Sequence, residues 1–89
     1  MQSKPKASII GQGYVGLPLA IAASEAGLEV NGIDIDSKKI DLINSGKSPV
    51  EDISDARLQK ALASSAYKAT TDFSKISDSN VIIICVPTP

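Results

Sequence analysis

Gly11-Gln12-Gly13-Tyr14-Val15-Gly16 sets three glycines at the G-x-G-x-x-G spacing, a pattern able to bring backbone N–H groups against a pyrophosphate. The first glycine makes the tight turn. The second leaves room for a phosphate to approach the backbone, and the third lets a helix and a strand pack closely. The N–H groups at the start of the following helix, with their partial positive charge, then bind the phosphates. Gly11, Gly13, Tyr14, Val15 and Gly16 are the expected cofactor-binding set of this turn. The bland alternative is a glycine turn with no ligand, and the strand before and helix after weigh against it.

Asp34 supplies the second half of the signature. It follows Gly16 by 18 residues and Gly11 by 23, close to the spacing of about 20 at which an acid meets a nucleotide ribose. A carboxylate there can accept hydrogen bonds from both adenosine ribose hydroxyls and would repel a 2′-phosphate. That favours NAD over NADP. Lys38 and Lys39 lie a few residues on and could soften the repulsion, although lysines in the first turns of a helix are usually just solvated. Thr88 stands between Pro87 and Pro89, stiff residues that hold it extended. It follows the last strand, at the carboxyl end where ligands of open α/β sheets bind, and its hydroxyl could meet the cofactor. The alternative for Thr88 is an ordinary loop threonine. Cys85 has no His and no evident basic partner to lower its pKa, so it reads as a structural thiol.

These residues need a particular scaffold. Ala7 to Ile10 reads as a buried strand entering the glycine turn. Tyr14 to Ala26 reads as a helix, with Val15, Leu19 and Ala22 or Ala23 as its apolar stripe and Gly27 as its stop. Pro18 falls near the first turn, where a missing N–H costs least, so at most a small kink is expected. Leu28 to Ile35 is a second strand. Asp36 or Ser37 caps a second helix through Ile40, Leu42 and Ile43, closed by Gly46. A third helix starts at Ser54 or Asp55 and carries Leu58, Ala61 and Leu62. Tyr67 to Thr70 is a short strand, Asp72 to Ser77 one helical turn, and Val81 to Val86 an apolar strand expected to be covered on both faces. Alternating strands and helices imply an α/β fold with a parallel sheet and right-handed crossovers. The expected architecture is a partial Rossmann (doubly wound) domain with strand order 3-2-1-4. Residues 1–89 form the N-terminal part of a dinucleotide-binding domain. Such a domain normally continues past a strand like the last one, so the sequence reads as the opening of a longer protein.

Composition narrows the rest. Nine basic residues face ten acidic ones, for a net charge of -1, which gives no footprint for nucleic acid. There is no His and a single Cys, which removes His-based acid/base catalysis, an internal disulfide and a cysteine zinc cluster. No catalytic and no metal-binding residue is assigned. Aromatics make up 3%, so the core must be aliphatic. Lys4 and Lys6 before a charge-free stretch outline a signal peptide, but Gly11, Gly13, Gly16 and Pro18 break the apolar helix it needs. The run from Val81 to Val86 is far too short to span a bilayer. A cytoplasmic protein with no membrane partner is expected.

With these residues in place, the sequence resembles the UDP-glucose/GDP-mannose dehydrogenases. The resemblance is carried by Gly11 to Ala20, by Gly32-Ile33-Asp34-Ile35-Asp36 with Lys39-Ile40, by Asn44-Ser45-Gly46 with Ser48-Pro49, and by Cys85-Val86-Pro87-Thr88-Pro89. It implies NAD-dependent, four-electron oxidation of the C6 hydroxyl of a nucleotide sugar to a carboxylate. A homo-oligomer is expected separately, because an exposed last-strand edge invites pairing with another copy. The resemblance further implies that Asp34 and Lys39 hold the adenosine ribose and that Thr88 approaches the cofactor. The family's catalytic cysteine and lysine match nothing in this sequence, and Cys85 does not fit the nucleophile's motif. Val50-Glu51-Asp52-Ile53 stands where the UDP-glucose branch tends to show a Tyr-Glu-Pro-Gly type sequence. With Val-Pro-Thr-Pro at the end, it looks more like the branch acting on UDP-N-acetylhexosamines. Two other readings stay open: a hydroxyacid-type NAD dehydrogenase and a non-enzymatic NAD-sensing module. A methyltransferase fits less well, since Gly16-Leu17 departs from a G-x-G-x-G turn.

Overall fold

A computed structural model describes residues 5–85; Thr88 and its flanking prolines lie outside the described residues. Four strands, β1 (Lys6–Ile10), β2 (Glu29–Ile33), β3 (Tyr67–Thr70) and β4 (Val81–Ile84), alternate with α1 (Gly16–Glu25), α2 (Ser37–Asn44) and α3 (Asp55–Ala63). A 3-10 segment, Phe73–Asp78, precedes β4. All strand pairs are parallel and the order is β3-β2-β1-β4, as the α/β Rossmann reading expects.

The register puts Ala7, Val30 and Tyr67 in one row and Ile9, Gly32 and Ala69 in the next. Side chains alternate along a strand, so these rows share one face. Against that face the three helices build an aliphatic core with Leu17, Ile21, Ile40, Ile43, Val50, Ile53 and Leu58. Val50 and Ile53 are thus packing residues of the segment between α2 and α3. Besides Gly16, the buried residues of α1 are Leu17, Ala20, Ile21 and Ser24, the i, i+3, i+4, i+7 stripe of an amphipathic helix. This corrects the stripe read from the sequence, because Val15 and Leu19 are exposed. The cause is the helix start: Val15 is the residue before the first turn, so the pattern counted from it runs along the wrong face. Pro18 occupies the first turn, where no intrahelical N–H is needed.

The chain runs outward from β1 to β2 to β3, then returns past β1 to β4. Keeping crossovers right-handed, the return must pass over the opposite face. The 3-10 segment does so, packing on β1 and β2. The expectation that the last strand is covered on both faces is not met within this chain. Val81, Ile82 and Ile84 are exposed, because β4 ends the sheet and only a short 3-10 turn lies beside it.

Candidate cofactor site

The strand order reverses between β1 and β4, the place where open α/β sheets bind ligands beyond the carboxyl ends of their strands. The glycine turn leaves β1 there. Gly11 has φ 96°, a left-handed conformation that glycine adopts without steric cost, and its N–H donates to the Ile33 carbonyl at 2.7 Å. A Cβ on Gly16 would overlap the Gly11 carbonyl and press on Cys85. The third glycine is therefore demanded by packing between α1 and β1. Cys85 is half-buried, and its N–H donates to Ile10, as suits a structural thiol.

Gly13 differs. Its φ is not in the left-handed region, and the nearest atom to a Cβ placed there would be Lys39 Nζ at 4.0 Å. Among the described residues neither backbone conformation nor internal packing asks for glycine at this position. The space over it fits a phosphate lying on the backbone. Tyr14 is 79% exposed and Val15 67%, so both border that space rather than fill the core. α1 has no side-chain cap and no acidic residue in its first turn. The N-terminal positive end of this helix is therefore not neutralised by the chain itself.

Asp34 follows β2 and is nearly buried. Its Oδ2 accepts from the Gln12 backbone N–H at 2.9 Å and from Lys39 Nζ at 3.2 Å, and its Oδ1 from the Asp36 N–H at 2.9 Å. Burial pushes the Asp34 carboxyl upward. The two backbone N–H groups and the Lys39 ammonium together outweigh it, so its pKa is lowered and the group is ionised at neutral pH. A carboxylate has about four lone-pair sites. With three partners already present, a ribose hydroxyl must take the remaining one or share. Lys39 is not a merely solvated helix lysine. It bridges from Asp34 towards the space over Gly13. Lys38, by contrast, is exposed.

One contributor escaped the sequence reading. Gln12, only an intervening position of the glycine motif, is fully buried, and its side chain binds the Tyr67 hydroxyl. A long amide between glycines, where an aliphatic residue would serve, was the signal available. Among the described residues no cluster of three or more His, Cys, Asp or Glu could hold a metal ion. No helix there is long and apolar enough to cross a membrane.

Sheet, glycine turn and acid together define a Rossmann-type dinucleotide-binding unit. Residues 5–89 match the UDP-glucose/GDP-mannose dehydrogenase family, NAD binding domain, and the chain belongs to that family; its cofactor is NAD. It is 51% identical over 84 residues to GDP-mannose 6-dehydrogenase of Pseudomonas aeruginosa, covering 92% of this chain and 19% of that protein. The crystal structure of a ternary complex of GDP-mannose dehydrogenase from the same organism superposes with a TM-score of 0.86 at 50% identity, over 93% of this chain and 20% of that one. The UDP-D-ManNAc dehydrogenase structure from Pyrococcus horikoshii gives a TM-score of 0.88 at 41% identity, over 94% of this chain and 20% of that one. The chain spans about a fifth of the length of the curated relatives it matches.

Proposed function

We propose that this chain is the cofactor-binding opening of an NAD-dependent nucleotide-sugar 6-dehydrogenase. The whole enzyme would oxidise the C6 hydroxyl of its sugar to a carboxylate, with NAD as hydride acceptor. The family match over residues 5–89 carries the reading. The site's chemistry supports it: an unoccluded Gly13, an uncapped α1 and an ionised Asp34 with Lys39 beside it. In this reading Gly11, Gly13, Tyr14, Val15 and Gly16 form the cofactor-binding turn, with the pyrophosphate over Gly13, while Asp34 and Lys39 hold the adenosine ribose and Thr88 approaches the cofactor. No residue of this chain is assigned to bond breaking, so the 89-residue chain by itself turns over no nucleotide sugar.

Val50-Glu51-Asp52-Ile53 favours a UDP-N-acetylhexosamine such as UDP-N-acetylmannosamine as the substrate. The higher identity to GDP-mannose 6-dehydrogenases, 51% against 42% for the UDP-N-acetyl-D-mannosamine dehydrogenase, favours GDP-mannose as a second reading. The enzyme would work in the cytoplasm as a homo-oligomer. The exposed β4 side chains suit further burial.

The test is an NADH-release assay on the full-length protein with UDP-N-acetylmannosamine, GDP-mannose and UDP-glucose. Two NADH per sugar with one of these substrates is the expected result. Absence of NADH with all three, in a protein that binds NAD, would overturn the proposal. Sedimentation of the same protein checks the oligomer.

A further inference from the structure

Gln12 sits at the centre of the glycine turn, yet its side chain is turned inward and has no solvent exposure. Nε2 donates to the Ile9 carbonyl at 2.8 Å and to the Gly11 carbonyl at 3.0 Å. Oε1 accepts from the Tyr67 hydroxyl at 2.7 Å. Tyr67 opens β3, is 1% exposed, and lies two strands away from the turn. Burial, reinforced by the negative charge of Asp34, raises the Tyr67 pKa, so the phenol stays protonated and donates.

The contact crosses β2, and Gly32 makes the crossing possible. A Cβ at Gly32 would strike both the Gln12 carboxamide and the Tyr67 hydroxyl. Meanwhile the Gln12 backbone N–H holds Asp34 Oδ2. A single residue therefore grips the carbonyls on either side of the turn's first bend, the outer strand and the ribose-side carboxylate. Every polar atom of its side chain is partnered, and among the described residues no buried side-chain nitrogen or oxygen lacks a hydrogen bond. A fully satisfied buried network of this kind rigidifies the backbone it touches.

Rigidity matters at this position. Gly11 and Gly13 flank Gln12, and glycines lose more conformational freedom on ordering than any other residue. A loose turn would lose that freedom when the pyrophosphate binds. A turn already held loses it on folding, which leaves more of the interaction energy for affinity. We propose that the Gln12–Tyr67 pair, admitted by Gly32, is a positioning device that pre-organises the phosphate turn of the NAD site. The proposal rests on the NAD-binding reading of this site. Both side chains are buried away from the cofactor space, so they act through the turn's backbone.

The experiment is calorimetric titration of NAD into the full-length protein, well below its melting temperature. The proteins compared are unmutated, Tyr67→Phe, Gln12→Leu and the double variant. Tyr67→Phe leaves a buried acceptor unpaired and should weaken NAD binding by about three- to tenfold, with a more unfavourable binding entropy. Gln12→Leu should weaken it at least as much. Adding Tyr67→Phe to Gln12→Leu should then cost no further affinity, since the hydroxyl's partner is already gone. The double variant leaves neither the Gln12 oxygen nor the Tyr67 hydroxyl unpaired, while Tyr67→Phe alone keeps the Gln12 bonds to the Ile9 and Gly11 carbonyls and is the mildest test of folding. The double variant should still bind NAD more weakly than the unmutated protein. A pair that only stabilises the fold would lower Tm and leave the NAD dissociation constant unchanged in the folded variants, and that result overturns the proposal. Independent effects of the two substitutions on affinity overturn it too. Failure of the unmutated protein to bind NAD would instead sink the underlying reading.

Discussion

The start of α1 and the starts of α2 and α3 solve one physical problem in opposite ways. Each helix opens with N–H groups that have no intrahelical partner. At α2 the Asp36 side chain accepts from Lys38 and Lys39 N–H, and at α3 the Ser54 hydroxyl accepts from Arg57 N–H. At α1 no side chain does this, and the preceding residues are glycines and two exposed apolar residues. The capped starts are finished by the chain itself. The uncapped one keeps its N–H groups free of side-chain partners, at the point where the sheet reverses order, and the proposed NAD site uses it. A helix start thus reveals its purpose by what it lacks, provided the rest of the molecule shows that caps are otherwise used.

The contrast breaks most completely at Gly13. Gly13→Val places a branched side chain where the proposed site puts the pyrophosphate, while among the described residues only Lys39 Nζ stands within 4 Å of the new Cβ. NAD binding should be lost with the circular dichroism of the fold preserved. Near-normal affinity in a folded variant would remove the phosphate role from this turn. Gly16→Val is the control from the same motif. Its Cβ meets the Gly11 backbone, so it should fail to fold rather than fail to bind.

Asp34 tests the ribose side. It lies just before the α2 cap and is held by the turn, the cap's N–H and Lys39. Asp34→Asn removes a charge-assisted acceptor worth roughly 1.5–3 kcal/mol and the repulsion of a 2′-phosphate. The preference for NAD over NADP in binding affinity should narrow by about tenfold or more. Equal affinity of the unmutated protein for both cofactors would show that Lys39 already cancels the Asp34 charge. The lowered pKa has a further consequence. A carboxyl depressed in the folded state contributes stability above its unfolded pKa of about 3.9 and loses it as pH falls through the lower folded value. The acid limb of the stability profile should therefore flatten in Asp34→Asn.

Val15→Asp supplies α1 with the negative charge that its start lacks. A carboxylate near a helix N-terminus stabilises by about 0.3–1 kcal/mol, so Tm should rise. In the proposed site the same charge would face the phosphates, so NAD should bind about two- to fivefold more weakly at low salt, with the gap closing as salt is added. A rise in Tm with unchanged NAD affinity would mean that α1 does not face the pyrophosphate. At α3, Ser54→Ala should lower stability by about 1 kcal/mol and leave NAD affinity untouched.

Most of this was legible in the sequence because it is local. Strand–turn–helix order, the caps at Asp36 and Ser54 and the stops at Gly27 and Gly46 are each fixed by residues within a few positions of one another. The limits of β3 were legible for the same reason. The stripe of α1 was misread because Val15 precedes the helix rather than opening it. The exposure of β4 depends on what lies beside it, which an apolar run cannot report. The Gln12–Tyr67 bond joins residues 55 apart across an intervening strand. No periodicity or spacing encodes such a pairing, and Gly32, which admits it, reads in sequence as an ordinary strand glycine.

The helix ends offer the smallest effect and an internal standard for the others. α1 and α2 finish in glycines with positive φ, Gly27 at 104° and Gly46 at 88°. α3 finishes in the same conformation with Ser65, at φ 62°. A side chain in the left-handed region is strained, and the position after a helix is where glycine relieves that strain. Glycine also leaves the unfolded chain freer, which offsets part of the gain. Ser65 is exposed and its side chain caps nothing in the fold; the Ala66 N–H is held by Ser64 instead. Ser65→Gly should therefore stabilise the protein by about 0.5–1 kcal/mol, read as a modest rise in Tm. NAD affinity should stay constant, because α3 ends at the edge of the sheet opposite the glycine turn. A fall in Tm would show that the strain at Ser65 is smaller than the entropy that glycine adds.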